Sequence, residues 1–299
     1  MTTDPRSRRI AAAAVLALAA GTAACSPAHE EGLQVWVSFA PLEYLVERVG
    51  GPEVQVDNLT PPGADPHSQE LSPARVADLA AADLVVYVSG LQPSTDEAIE
   101  QAEPAVVVDT LDAATAAISG EPNPPDPSRD PHFWLDPIRF GEAAQQIADA
   151  LATIAPEHAD DYRDRAGALL TDLDQLDAEY AEALSGCAGA TLVTSHEAFG
   201  YLAARYGLRQ EGITGIDPEV EPSPARLRDL AAIIEEAGVS TIYFETAADP
   251  AVAETLAADL GLRTDVLDPM ERPSDPDYLT VMQSNLTALQ DGLVCDQPR

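Results

Sequence analysis

Apolar positions along the chain switch repeatedly between two rhythms. Leu33–Phe39, Val54–Leu59, Leu84–Ser89 and Ala105–Asp109 are short apolar runs that predict four buried strands. Between them, Leu42–Val49 and Pro73–Ala82 space their apolar residues three and four apart, as helices do. Strands that alternate with helices imply a parallel sheet with helical crossovers. After the Pro-, Asp- and Asn-rich stretch Glu121–Pro131 the rhythm turns helical. Phe140–Ile154 is one amphipathic segment. Pro156 opens another, carrying Tyr162, Ala166, Leu169, Leu170, Leu173, Leu176, Tyr180 and Leu184 at helical steps. Unbroken from Pro156 to Leu184, that helix is roughly 40 Å long at ~1.5 Å per residue. Ser185-Gly186 supplies its stop. The first rhythm then returns. Thr191–Thr194, Leu208–Ile213, Thr241–Glu245 and Arg263–Leu267 predict strands, and Ala198–Tyr206, Pro224–Ala237, Pro250–Leu260 and Tyr278–Leu293 predict helices. The fold class expected is α/β, with two similarly organised halves, 33–155 and 187–299, on either side of a helical linker at 156–186. No close sequence repeat relates the halves.

The first 32 residues stand outside this pattern. Arg6, Arg8 and Arg9 precede the uncharged, alanine-rich run Ile10–Ala20, and small residues then lead to Cys25. This is the layout of an export signal over residues 1–24. The apolar run is too short to span a bilayer. A cysteine in that place resembles a bacterial lipobox, which makes Cys25 the expected lipidated first residue of an extracytoplasmic protein held to the membrane by its anchor. Residues 25–32 then form a tether. With Cys25 used for the anchor, Cys187 and Cys295 are the remaining thiols in an oxidising compartment. A disulfide between them is expected; two unpaired thiols or a metal-binding pair are the alternatives. The chain holds 51 acidic residues against 16 basic ones, for a formal net charge of −35. That balance argues against nucleic acid or an anionic membrane surface as a partner.

The candidate chemistry lies in the histidines, of which the chain has 5. His29 falls in the tether and His158 in the acidic start of the long helix, both in solvated settings. His67, in Pro-Gly-Ala-Asp-Pro-His-Ser, His132, in Asp-Pro-His-Phe-Trp-Leu-Asp-Pro, and His196, in Ser-His-Glu-Ala-Phe-Gly, each sit after a strand or at a helix start. Ligands of α/β folds bind at those strand ends. Imidazole suits Zn²⁺, and three His with a carboxylate complete a tetrahedral set. Asp268, ending the last predicted strand, is the expected fourth ligand, with Glu245 in reserve.

These motifs and their order resemble those of the metal-binding solute-binding lipoproteins of ABC importers, the zinc- and manganese-uptake group. The resemblance runs from about Leu33 to Leu293. It adds Gly-Ile-Asp-Pro-Glu-Val-Glu-Pro-Ser-Pro and Tyr-Leu-Thr-Val-Met-Gln-Ser-Asn-Leu to the three histidine motifs. It implies two α/β lobes joined by one rigid long helix, with the metal in the cleft between them. His67 and His132 would come from the first lobe, His196 and Asp268 from the second. Histidine at the third position, where manganese-selective members carry Glu, implies zinc over manganese. The chain departs from the pattern twice. Glu121–Pro131 lacks the histidines of the metal-scavenging loop found in many zinc members, and Met-Glu follows Asp268-Pro269 where Leu-Gly is usual.

The function expected is capture of Zn²⁺, with Mn²⁺ second, by a monomer that delivers it to the membrane permease of an ABC importer. Two other classes compete. A zinc-dependent hydrolase needs an open coordination position and a positioned base, for which Glu197 is the nearest residue. A surface adhesin needs a dedicated surface that the motifs do not display. Because the imidazoles must be neutral to coordinate, affinity is expected to fall below pH ~6.

Overall fold

A computed structural model describes residues 32–115, 125–126, 130–245, 250–272 and 276–295. The export signal, the tether with Cys25 and most of the Glu121–Pro131 stretch lie outside the described residues.

From Gly32 onward the described residues form one compact unit. Its first half pairs four parallel strands, β1 (Leu33–Val37), β2 (Val54–Asn58), β3 (Leu84–Tyr87) and β4 (Val107–Asp109), in the order β2-β1-β3-β4. The second half repeats that order with β5 (Thr191–Thr194), β6 (Arg209–Gly212), β7 (Thr241–Phe244) and β8 (Arg263–Val266), as β6-β5-β7-β8. In each half the chain leaves a central strand for one edge and then returns past it to the other. The strand ends beside that reversal are the natural ligand-binding position of such sheets.

Nine α-helices are described: α1 (Ala40–Gly50), α2 (Pro73–Ala81), α3 (Pro93–Ala102), α4 (Pro137–Ile154), α5 (Ala159–Ala183), α6 (Gly200–Arg205), α7 (Pro224–Ala237), α8 (Ala251–Leu260) and α9 (Tyr278–Gly292). Their starts are written in the sequence. Ser72, Asp136 and Ser223 accept hydrogen bonds from the first-turn amides of α2, α4 and α7, and each precedes a proline at the first helical position, whose missing N–H costs nothing there. Gly238 and Gly261 close α7 and α8 in the left-handed region, at φ 65° and 70°. The helix α3 escaped the sequence reading because only Thr95, Ala98 and Ile99 of its ten residues are buried, too few to set up a period.

The long connection begins with one 3₁₀ turn, Pro156–His158, before α5 proper. Along its length α5 packs against α4, and it also touches α1 of the first half and α9 of the second. Consequently one hydrophobic core runs through both halves, from Val35 and Leu42 through Leu151, Leu169 and Tyr180 to Leu192, Tyr201 and Leu289. Smaller clusters fill the outer faces, one around Trp36, Leu79 and Val85 and another around Val193, Leu230 and Ile242. A disulfide joins Cys187, just before β5, to Cys295, just after α9.

Candidate metal centre

Each of the three histidines stands beyond the carboxyl end of a parallel strand. His67 lies in the loop between β2 and α2, and His196 two residues past β5. His132 comes from the segment after β4 and immediately precedes a 3₁₀ turn, Phe133–Leu135, which leads into α4. Although 129 residues of sequence separate the first from the last, the three rings converge, with centroids 5.4, 5.5 and 6.1 Å apart. His132 and His196 are buried, and the His67 side chain is 9% exposed.

The carboxylate at their centre belongs to Glu271. Its Oε1 lies 3.3 Å from His67 Nε2, 3.1 Å from His132 Nε2 and 3.3 Å from His196 Nε2. These four side chains offer ligand atoms that all lie within 4.8 Å of one another. The buried His132 Nε2 has no aligned hydrogen-bond partner despite that proximity.

Asp268 is placed differently from the sequence expectation. Its Oδ1 accepts the backbone N–H of Met270 at 2.7 Å, and its own backbone is held by Asn285 in both directions. The short side chain therefore builds a turn. Met270 completes that turn at φ 60°, an uncommon conformation for a residue with a Cβ, and the next residue, Glu271, enters the cluster. Sequence reasoning passed over Glu271 while noting the unusual Met-Glu dipeptide that contains it. Glu245, the reserve candidate, lies behind His196 with its Oε1 against Nδ1, and it also accepts the Ser195 hydroxyl at 2.6 Å. His132 has an equivalent partner: Asp130 Oδ1 is 2.8 Å from its Nδ1 and also accepts the His132 backbone N–H. A carboxylate at Nδ1 keeps the proton on that nitrogen and turns Nε2 into the ligand atom. His158 stays apart, 3.9 Å from Asp161 and near Glu53, which Arg165 already engages at 2.7 Å.

The cluster is tightly coupled electrostatically. Burial disfavours the imidazolium form of His132, yet Asp130 and Glu271 outweigh it and raise the pKa. For His196 burial acts the same way, and Glu271 with Glu245 pushes the pKa up to about 10. Burial would raise the Glu271 carboxyl, but His196, His132 and His67 hold it well below the usual range. Protons on the imidazoles thus occupy the same electrostatic role that a cation would fill.

The His132 segment is bound firmly to the second half. The Trp134 indole donates to the Pro269 carbonyl at 2.8 Å, the Tyr278 hydroxyl to the Trp134 carbonyl at 2.7 Å, and the Tyr201 hydroxyl to the Asp130 carbonyl at 3.0 Å. Below it Asp136, fully buried, pairs with Arg205 at 3.4 Å, and Arg205 also reaches Asp177 on α5 at 2.5 Å.

Residues 35–292 match the protein family described as zinc-uptake complex component A, periplasmic. The chain belongs to this family. Among its relatives, the zinc-binding lipoprotein AdcA of Streptococcus pneumoniae is 34% identical over 284 residues, covering 86% of this chain and 55% of its own length. The chain thus spans about half of that relative. The high-affinity zinc uptake system protein ZnuA of Bacillus subtilis is 30% identical over 306 residues, covering 95% of this chain and 96% of its own. In structure, the laminin-binding protein Lmb of Streptococcus agalactiae, described as bifunctional with adhesin and metal-transporting activity, superposes with a TM-score of 0.77 at 33% identity. That match covers 87% of this chain and 99% of Lmb. Family membership accords with the two parallel-sheet lobes.

Proposed function

We propose that this chain captures Zn²⁺ outside the cytoplasm and hands it to the permease of an ABC importer. The observation that carries this reading is the convergence of three imidazole Nε2 atoms on one carboxylate oxygen. Edges of 3.1–3.3 Å match the ~3.3 Å edge of a tetrahedron whose metal–ligand bonds are ~2.0–2.1 Å. His67, His132, His196 and Glu271 are the proposed ligands, with Asp130 and Glu245 orienting two of the imidazoles. Three imidazoles and one carboxylate favour Zn²⁺ over Mn²⁺, which prefers an oxygen-rich shell. Four protein donors leave no open position for a substrate or an activated water, so the geometry favours a carrier over a hydrolase. The domain division at 33–155, 156–186 and 187–299 is part of the same proposal, as are monomeric action and attachment through a lipidated Cys25. No helix among the described residues is long and apolar enough to cross a membrane.

Elemental analysis and competition titration of the untagged chain test the metal. One equivalent of Zn²⁺ that Mn²⁺ does not displace, lost in His196→Ala, is the expected result. Tight Mn²⁺ binding overturns the choice of metal, and no bound metal overturns the function. Loss of growth in zinc-depleted medium on deletion tests delivery. Laminin binding, which the description of Lmb suggests as a second activity, is tested by direct titration of laminin with the loaded chain.

A further inference from the structure

The four proposed ligands are not equally anchored. His132, His196 and Glu271 stand on segments tied together by the Trp134, Tyr278, Tyr201 and Arg205 bonds. His67 stands on a loop that begins with the exposed Pro61, Pro62 and Gly63, and its local ties stay within the first half, where Gln69 bonds the Leu59 carbonyl and Ser94 the Gln69 carbonyl. Across the cleft the loop is held through Asp65. One oxygen of this carboxylate, Oδ1, accepts the His67 backbone N–H at 2.9 Å. The other, Oδ2, accepts Arg272 Nη2 at 2.9 Å, from a residue 207 positions away. Arg272 directly follows Glu271. A single carboxylate thus links the backbone of the first ligand to the neighbour of the last, in a partly shielded setting with the side chains 27% and 15% exposed.

We infer that Asp65 and Arg272 are positioning residues that form a strap over the metal centre and set how long the ion stays. The inference rests on the zinc-capture reading. With the strap in place, His67 is returned to the ion after each transient dissociation. Without it, the loop swings away with its imidazole and three donors remain.

Zinc release from the loaded chain, followed by stopped flow with a chromogenic chelator, tests this. Arg272→Gln is expected to speed release roughly two- to fivefold, the scale of a partly exposed ion pair, and to leave the association rate close to wild type. Asp65→Asn, which keeps an oxygen for the His67 N–H, should match it, and the double variant should be no faster than either single one. Arg272→Lys should recover most of the lifetime. Salt should hasten release from wild type more than from the double variant. Unchanged release in Arg272→Gln, or effects of the two substitutions that simply multiply, overturns the strap. A wild-type chain that takes up no zinc fails the underlying function instead, and the two failures are told apart at loading.

Discussion

Single side chains decide which carboxylate belongs to the ion. Glu271→Ala removes an oxygen 3.1–3.3 Å from all three imidazoles and is expected to weaken zinc binding by more than the ~10–100-fold typical of losing an outer orienting group. Asp268→Asn, which keeps an acceptor for Met270 N–H, should bind nearly as wild type. Competition titration of both variants distinguishes the two assignments, and the opposite ranking would restore Asp268. Glu245→Gln and Asp130→Asn fall between, at roughly 10–100-fold. Gly200 adds an indirect case. A Cβ there would meet Asp130 Oδ2 at 2.5 Å, so Gly200→Ala should displace the carboxylate that aligns His132 and cost affinity more than thermal stability.

Protonation belongs to the same scale. Because Glu271 and Glu245 push the His196 pKa up to about 10 and His132 is also raised, zinc is expected to displace protons at neutral pH. Zinc binding at pH 7 should release at least the His196 proton, readable by calorimetry in buffers of different ionisation enthalpy. Apparent affinity should climb steadily with pH from 6 to 9, a window higher than ordinary imidazoles would give. For the metal-free chain the signs reverse. The stabilisation from His196 is complete below its unfolded pKa of about 6.5 and fades as pH rises through about 10. That from Glu271 is present above the ordinary carboxylate range and is lost as pH falls through its lowered value.

Among the elements, periodicity made most of the fold legible. Eight strands and eight of the nine described helices follow from apolar spacing, although β2, β4 and β8 hold no fully buried residue and α2 buries Leu79 alone. The ends differ by up to three residues where a cap or a turn, rather than hydrophobicity, decides, as at Pro137 and Ala159. The three histidines were legible for a similar reason, since each sits in a turn-rich motif after a strand. Glu271 was not. Its position depends on Met270 adopting φ 60° and on Asp268 Oδ1 accepting the Met270 N–H, and no spacing rule encodes either. Elements also carry a stability prediction. The Cys187–Cys295 bridge, with a sequence separation of 108, pins the last helix beside the first strand of the second sheet. Replacing both cysteines with serine should cost ~4–5 kcal/mol in the chain-entropy picture, measured by denaturant unfolding.

For the whole molecule the continuous core sets the mechanics. The inner helices α1, α4, α5 and α9 share one packed interior, and packed interiors do not deform gradually. Zinc should therefore leave the radius of gyration nearly constant in solution scattering; closure by several ångströms would contradict this. Bound ion should still raise thermal stability, by ~2.7 kcal/mol at a hundredfold excess over Kd.

The spread of the four donors along the chain also governs timing. The proposed donors His67 and Glu271 are 204 residues apart. On the zinc-capture proposal, a growing or translocating polypeptide has an incomplete coordination shell until the Glu271 segment folds back against His67, His132 and His196. On that proposal, cargo is acquired only in the compartment where folding finishes. If the chain crosses the membrane unfolded, it arrives empty and loads from whatever zinc that side offers.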